Sequence, residues 1–68
     1  MNLLLTTPRE MMTLLCKRLV NERLVQGFTQ TELARRAGIN TNTVSNLEHG
    51  KNVTFESVVR VAMVLGRT

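Results

Sequence analysis

The chain has one cysteine, Cys16, among 68 residues. That excludes an internal disulfide and any cysteine-rich metal site, and it fits a reducing compartment such as the cytoplasm. No apolar run approaches the roughly 18 residues that a membrane span requires, so no membrane partner is expected. The opening MNLLLTT lacks a basic n-region and a small-residue cleavage site, and its apolar run is only Leu3, Leu4 and Leu5. It is expected to be a structural arm over residues 1–6 rather than a secretory signal. Low-complexity segments, internal repeats and runs of like charge are also missing. No strand pattern competes with helix, because the cluster Val58, Val59, Val61 and Val64 falls inside a helical period.

Chemistry is as sparse. There are no paired carboxylates set around a cleft, no Ser/His/Asp or Cys/His combination and no phosphate loop, so an enzyme with a small-molecule substrate is not expected. The lone His49 has no acidic or cysteine neighbours at ligand spacing, which leaves no metal site and no cofactor, and makes it a candidate helix-end cap. Cys16, beside Leu15 and Leu19 at helical spacing, is expected in the core.

What is present describes one soluble domain over residues 1–68, with 43% hydrophobic and 21% charged residues. A chain this short buries only about 60% of its unfolded surface, so pairing with a second copy would widen a thin stability margin. Nine Lys/Arg against five Asp/Glu give a net charge of +4, which favours an anionic partner such as nucleic acid.

Four helices are expected. Thr7-Pro8-Arg9-Glu10 reads as a capped start, with Pro8 where its missing N–H costs nothing and Glu10 reaching back. The first helix then runs to about Gln26, carrying Met11, Met12, Leu15, Leu19 and Leu24 as its apolar stripe, and Gly27 stops it. Thr29-Gln30-Thr31-Glu32 opens a second helix, Gln30 to Ala37, closed by Gly38. Asn40 or Thr41 caps a third that ends near His49. Thr54 caps a fourth, Phe55 to about Leu65, whose core stripe is Phe55, Val58, Val61, Ala62 and Leu65, with Gly66 as its stop.

Two helices barely two turns long cannot serve bulk burial, so residues 29–49 point to a helix-turn-helix, whose second helix is presented to a DNA major groove. Ala34 places a methyl where the helices cross, Gly38 allows a positive φ in the turn, and Ile39 and Val44 fill the wedge between them.

With LCKRLVNERLVQGFTQTELARRAG, INTNTVSNLEHGK and TFESVVRVAMVLG in order, the chain resembles the phage-repressor and Cro-type family, the lambda-repressor-like domains, from about Leu15 to Gly66. It carries the pattern G-[LF]-[ST]-Q-x-E-L-A, the A-x-x-x-G turn and L-E-x-G-K. The resemblance implies an all-α, four-helix lambda-repressor-like bundle around a central helix-turn-helix, to which the family commonly adds a fifth helix. Gln30 matches a position that holds a DNA phosphate and braces the start of the recognition helix. Thr41 and Asn42, then Ser45 and Asn46 one turn on, match base-reading positions, and an Asn amide suits adenine while a Thr methyl suits thymine. Lys51 matches a backbone-contacting loop, with Asn40 and Asn52 as helpers on phosphate. Arg23 and Glu48 match a partly buried scaffold salt bridge. Arg35 and Arg36 flank the turn, where proximity to phosphate and plain solvation are equally open.

The recognition helix departs from the common pattern in having no Arg, Lys or Gln, so it lacks the usual basic contact to guanine. With no fifth helix in the sequence, another element is expected to cover the fourth, and Leu3, Leu4, Leu5, Val59, Met63 and Val64 are the candidate dimer interface. The expected partner is double-stranded DNA, bound as a homodimer by a transcriptional regulator in a phage, antitoxin or restriction-control setting. The alternative is a protein-interaction module, antitoxin-like, with a toxin or a polymerase as partner.

Overall fold

The structure is a computed structural model that describes residues 7–66. Its helices are α1 (Pro8–Val25), α2 (Gln30–Ala37), α3 (Thr41–Glu48) and α4 (Phe55–Leu65).

Each start is made by a side chain that accepts an otherwise unpaired N–H. Thr7, Thr29 and Thr54 use their hydroxyls on the amides of Glu10, Glu32 and Ser57 at 3.1, 3.0 and 3.1 Å, and Asn40 uses its side-chain carbonyl on Thr43 at 2.8 Å. The reciprocal arm of the capping box takes another form. Glu10 accepts the Thr7 hydroxyl at 3.0 Å, while Glu32 turns towards Arg35 and Arg36, since a guanidinium competes better for a carboxylate than a backbone amide does.

The stops of α1, α2 and α3 repeat one device. Phe28, Ile39 and Lys51 donate their N–H groups to the carbonyls of Arg23, Ala34 and Asn46 at 3.0, 3.0 and 2.9 Å, each around a left-handed glycine. At Gly38 this conformation, φ 72°, turns the chain so that α3 crosses α2. Gly66 differs, since it ends α4 with φ −81° and its stop uses no left-handed residue.

The core comes from α2, α3 and α4: Leu33, Ala34, Ala37, Val44, Leu47, Val61 and Leu65 are buried. Leu33, Val44 and Val61 are fully enclosed, each worth about 1.5–3 kcal/mol of apolar burial. Leu19, Phe28, Ile39, Val53, Val58 and Val64 pack against this nucleus. Ala34 and Val44 are buried in the core, and Ile39 is half-buried against it.

Two expected stripes are corrected. No residue of α1 is buried, and Met12, Leu15 and Leu24 are half or more exposed. Leu24 lies about 100° round the helix from Arg23, which faces α3, and so points away from the core, while Met12 and Leu15 sit in the N-terminal half of an 18-residue helix about 27 Å long, past the reach of the core. Cys16, placed in the core by its spacing, lies in the same half and is half-buried. On α4, Phe55 is 81% exposed because the core is reached only from Val58 onward, along Val58, Val61 and Leu65, and Ala62, within that span, is exposed as well. No helix among the described residues is long and apolar enough to cross a membrane.

Candidate nucleic-acid interface

Glu48, the last residue of α3, organises the site. Its side chain is 6% exposed and accepts three hydrogen bonds: Arg23 Nε to Oε2 at 2.6 Å, Arg23 Nη2 to Oε1 at 3.2 Å, and Gln30 Nε2 to Oε1 at 2.9 Å. Arg23, 12% exposed, completes its fork by donating Nη1 to the Phe28 carbonyl at 2.8 Å. One carboxylate therefore ties α1 and the first residue of α2 to the end of α3. A bidentate guanidinium and an amide satisfy a charge that would be costly to bury alone.

Gln30 differs from expectation here, because its amide braces the end of α3, not the start. The start is held by Asn40, whose carbonyl oxygen takes both the Thr43 amide and, at 3.1 Å, the Thr43 hydroxyl.

Between these anchors α3 offers uncharged groups. Asn42 is exposed, and Thr41, Ser45 and Asn46 are half-buried. Their spacing of three and four residues puts them on one side of the helix. From Thr41 to Leu47 there is no charged side chain, and the following Glu48 is neutralised in place. At the far end His49 Nδ1 lies 2.7 Å from the Ser45 carbonyl, which only accepts, so this nitrogen donates and caps the helix. Lys51 and Asn52 follow in an exposed loop.

The family whose profile matches is described as helix-turn-helix, and the match covers residues 21–68, more than two thirds of the chain. The chain belongs to the helix-turn-helix family. It is of the lambda-repressor-like, XRE type, a family of DNA-binding regulators, and the all-α fold agrees with that assignment. Comparison with curated proteins and with solved structures finds no match.

In this helix-turn-helix domain the turn arginines are already engaged. Arg35 and Arg36 share Glu32 at 2.7 and 2.8 Å, and the Arg36 guanidinium also lies 4.8 Å from the centre of the Phe28 ring. The hydrogen bonds from Arg35, then Arg36, hold the Glu32 carboxyl below its ordinary range, and the same pairing raises Arg35. Among the described residues no cluster of His, Cys, Asp and Glu is arranged to hold a metal ion.

Some structural partners left no sequence signal. Arg60 of α4 bonds Glu56 at 2.9 Å and reaches the Ala37 carbonyl at 3.4 Å, over the turn glycine. Gln26 donates to the Leu65 carbonyl at 2.7 Å, tying the end of α1 to α4. The Arg60–Ala37 and Gln26–Leu65 bonds join residues more than twenty positions apart, where no local pattern operates. Of the candidate interface residues, Val59 and Met63 are exposed at 38% and 52%, whereas Val64 is half-buried against the core. Leu3, Leu4 and Leu5 lie outside the described residues.

Proposed function

We propose that the domain is a sequence-specific transcriptional regulator, a repressor that docks as a dimer on a palindromic operator with half-sites about 34 Å apart. Thr41, Asn42, Ser45 and Asn46 read base edges, while Gln30, Asn40, Lys51 and Asn52 hold phosphates. The observation that carries this reading is the uncharged polar face of α3, anchored at one end by Asn40 and at the other by the buried Glu48. An eight-residue helix is about 12 Å long and 10–12 Å across, a size the major groove admits. Asn42 and Asn46 each present an amide able to bond adenine on two atoms, and Thr41 supplies a methyl for thymine. Val59 and Met63 are the exposed members of the candidate dimer interface among the described residues.

A second reading has its own support. Phe55, Val59 and Met63, spaced by four along α4, form an exposed apolar line that suits a protein partner. Selection from a random duplex library at near-physiological salt separates the two, run on the native chain and on Thr41→Ala/Asn42→Ala. The expected result is an enriched palindrome that the double variant loses. No enrichment with folded native protein would refute operator recognition and move the function to the α4 line.

A further inference from the structure

The net charge of +4 has to act somewhere, and it does not act from the recognition helix, which carries no cation. The ion pairs divide the basic residues into two groups. Arg23, Arg35, Arg36 and Arg60 are each paired with Glu48, Glu32 or Glu56. Among the described residues Arg9, Lys17, Arg18 and Lys51 have no ion pair. Arg9, Arg18 and Lys17 lie on α1 ahead of residue 21, where the family match begins.

Arg9, Thr13 and Lys17 are spaced by four, so they form one exposed stripe along α1. The stripe faces the segment that follows α3. A cleft of about 400 Å³ is lined by Arg9, Met12, Thr13, His49, Gly50 and Asn52, and an adjoining depression of about 120 Å³ brings in Lys17. Lys51 lies between two of the lining residues, and Glu48, the acid at the second depression, is neutralised by Arg23. Arg18 points about 100° away from Lys17 around the helix.

We infer that the N-terminal half of α1 and the α3–α4 loop form a phosphodiester-binding cleft, in which Arg9 and Lys17, with Lys51, hold DNA backbone beside the C-terminal end of the recognition helix. This rests on the DNA-binding reading and adds the source of its electrostatic affinity. Arg9 and Lys17 are about 12 Å apart along the axis against a phosphate rise of about 3.4 Å per strand, so they engage different phosphates. The overhang of α1 beyond the core thereby has a use: it carries two cations to a position that the shorter helices cannot reach.

The test is the salt dependence of binding to a labelled 30-base-pair duplex of mixed sequence, from 50 to 200 mM salt, for the native chain, Arg9→Ala/Lys17→Ala and Arg18→Ala. Each phosphate contact contributes about 0.9 to the slope of log affinity against log salt. The double variant should lose about 1.8, so its affinity falls about 12-fold less across that range than the native chain's. Arg18→Ala, which removes a charge from the other face of the same helix, should keep the native slope. Matching thermal melts by circular dichroism establish that all three proteins are folded. A native slope in Arg9→Ala/Lys17→Ala overturns the cleft while leaving DNA binding intact, as does an equal loss per charge in Arg18→Ala. A native chain that fails to bind the duplex at all overturns the DNA-binding reading itself.

Discussion

Removing Glu48 while keeping Arg23 should take away a large share of the domain's stability. In Glu48→Ala the guanidinium, 12% exposed, keeps only the Phe28 carbonyl, and the Gln30 amide loses its acceptor. Breaking a buried pair from one side costs about 3–5 kcal/mol, against about 0–1 kcal/mol for a surface pair. At roughly 0.05–0.15 kcal/mol per residue the whole domain has about 3–10 kcal/mol to lose. The melting temperature should therefore fall by at least about 12 °C. Arg23→Met should cost a similar amount, because it leaves a carboxylate with 6% exposure holding one neutral hydrogen bond. Arg23→Met/Glu48→Leu removes both charges and fills the space with apolar atoms but leaves the Gln30 amide and the Phe28 carbonyl without these partners, so it should cost about 1–3 kcal/mol, well below the sum of the two single losses. Urea denaturation of the native chain, Arg23→Met, Glu48→Leu and Arg23→Met/Glu48→Leu, followed at 222 nm, closes the cycle and gives the coupling energy. Single variants that each cost under about 1 kcal/mol would refute the buried-pair argument. So would a double variant whose loss is the sum of the two single losses, since that would assign the cost to packing instead of charge compensation.

Two further outcomes follow from local geometry. Gly27 and Gly38 both have left-handed φ, 79° and 72°, and alanine at either should cost about 1–2 kcal/mol. A Cβ at Gly38 would also lie 3.2 Å from Arg60 Nη1, whereas one at Gly27 meets nothing within 4 Å. Gly38→Ala should thus melt lower than Gly27→Ala, and the reverse order would remove any role for Arg60 at the turn. The Glu32 carboxyl, held down by Arg35 and Arg36, should titrate below 4.5 in a carbon-detected NMR experiment. Because its folded value is depressed, its contribution to stability is present above the ordinary carboxylate range and is lost as pH falls through the folded value. Glu32→Gln should flatten that part of the acid-denaturation curve, and a Glu32 titration at or above 4.5 would contradict the pairing.

Features set within a few residues were legible from the sequence. Thr29 and Asn40 signal their helices because the capping oxygen and its amide are three positions apart, and Gly38 signals its turn because its backbone freedom is a property of one residue. The stripes of α1 and α4 were harder for a physical reason: periodicity states which side of a helix is apolar, but not whether another element stands opposite. Phe55 and Met12 satisfy the period and still meet solvent. At the site, the polar residues of α3 could be read from resemblance and spacing, and the Arg23–Glu48 pair from resemblance. The Gln30–Glu48 bond could not, because it joins positions eighteen apart through the fold. The free cations were invisible for a related reason. Arg35 and Arg36 carry the three- and four-residue spacing from Glu32 that allows a helical ion pair, but nothing in the sequence places Arg9 and Lys17 beside a cleft, which only the folded chain shows.

That distinction implies a separation of affinity from specificity. A basic recognition helix would couple the two, since the side chain that reads guanine also supplies long-range attraction. In the proposed mode of binding α3 reads with amides, hydroxyls and methyls, each bidentate amide pair worth about 1–3 kcal/mol of discrimination, while the attraction is assigned to cations on α1 and the loop after α3. Changes at the two surfaces should then act on different measurements. Thr41→Ala/Asn42→Ala should reduce the ratio of operator to mixed-sequence affinity and leave the salt slope in place. Arg9→Ala/Lys17→Ala should lower the slope, and weaken both duplexes equally, with the ratio preserved. If either variant moved both quantities together, the cleft and the face of α3 would have to be treated as one coupled surface, with the α1 overhang taking part in choosing the sequence.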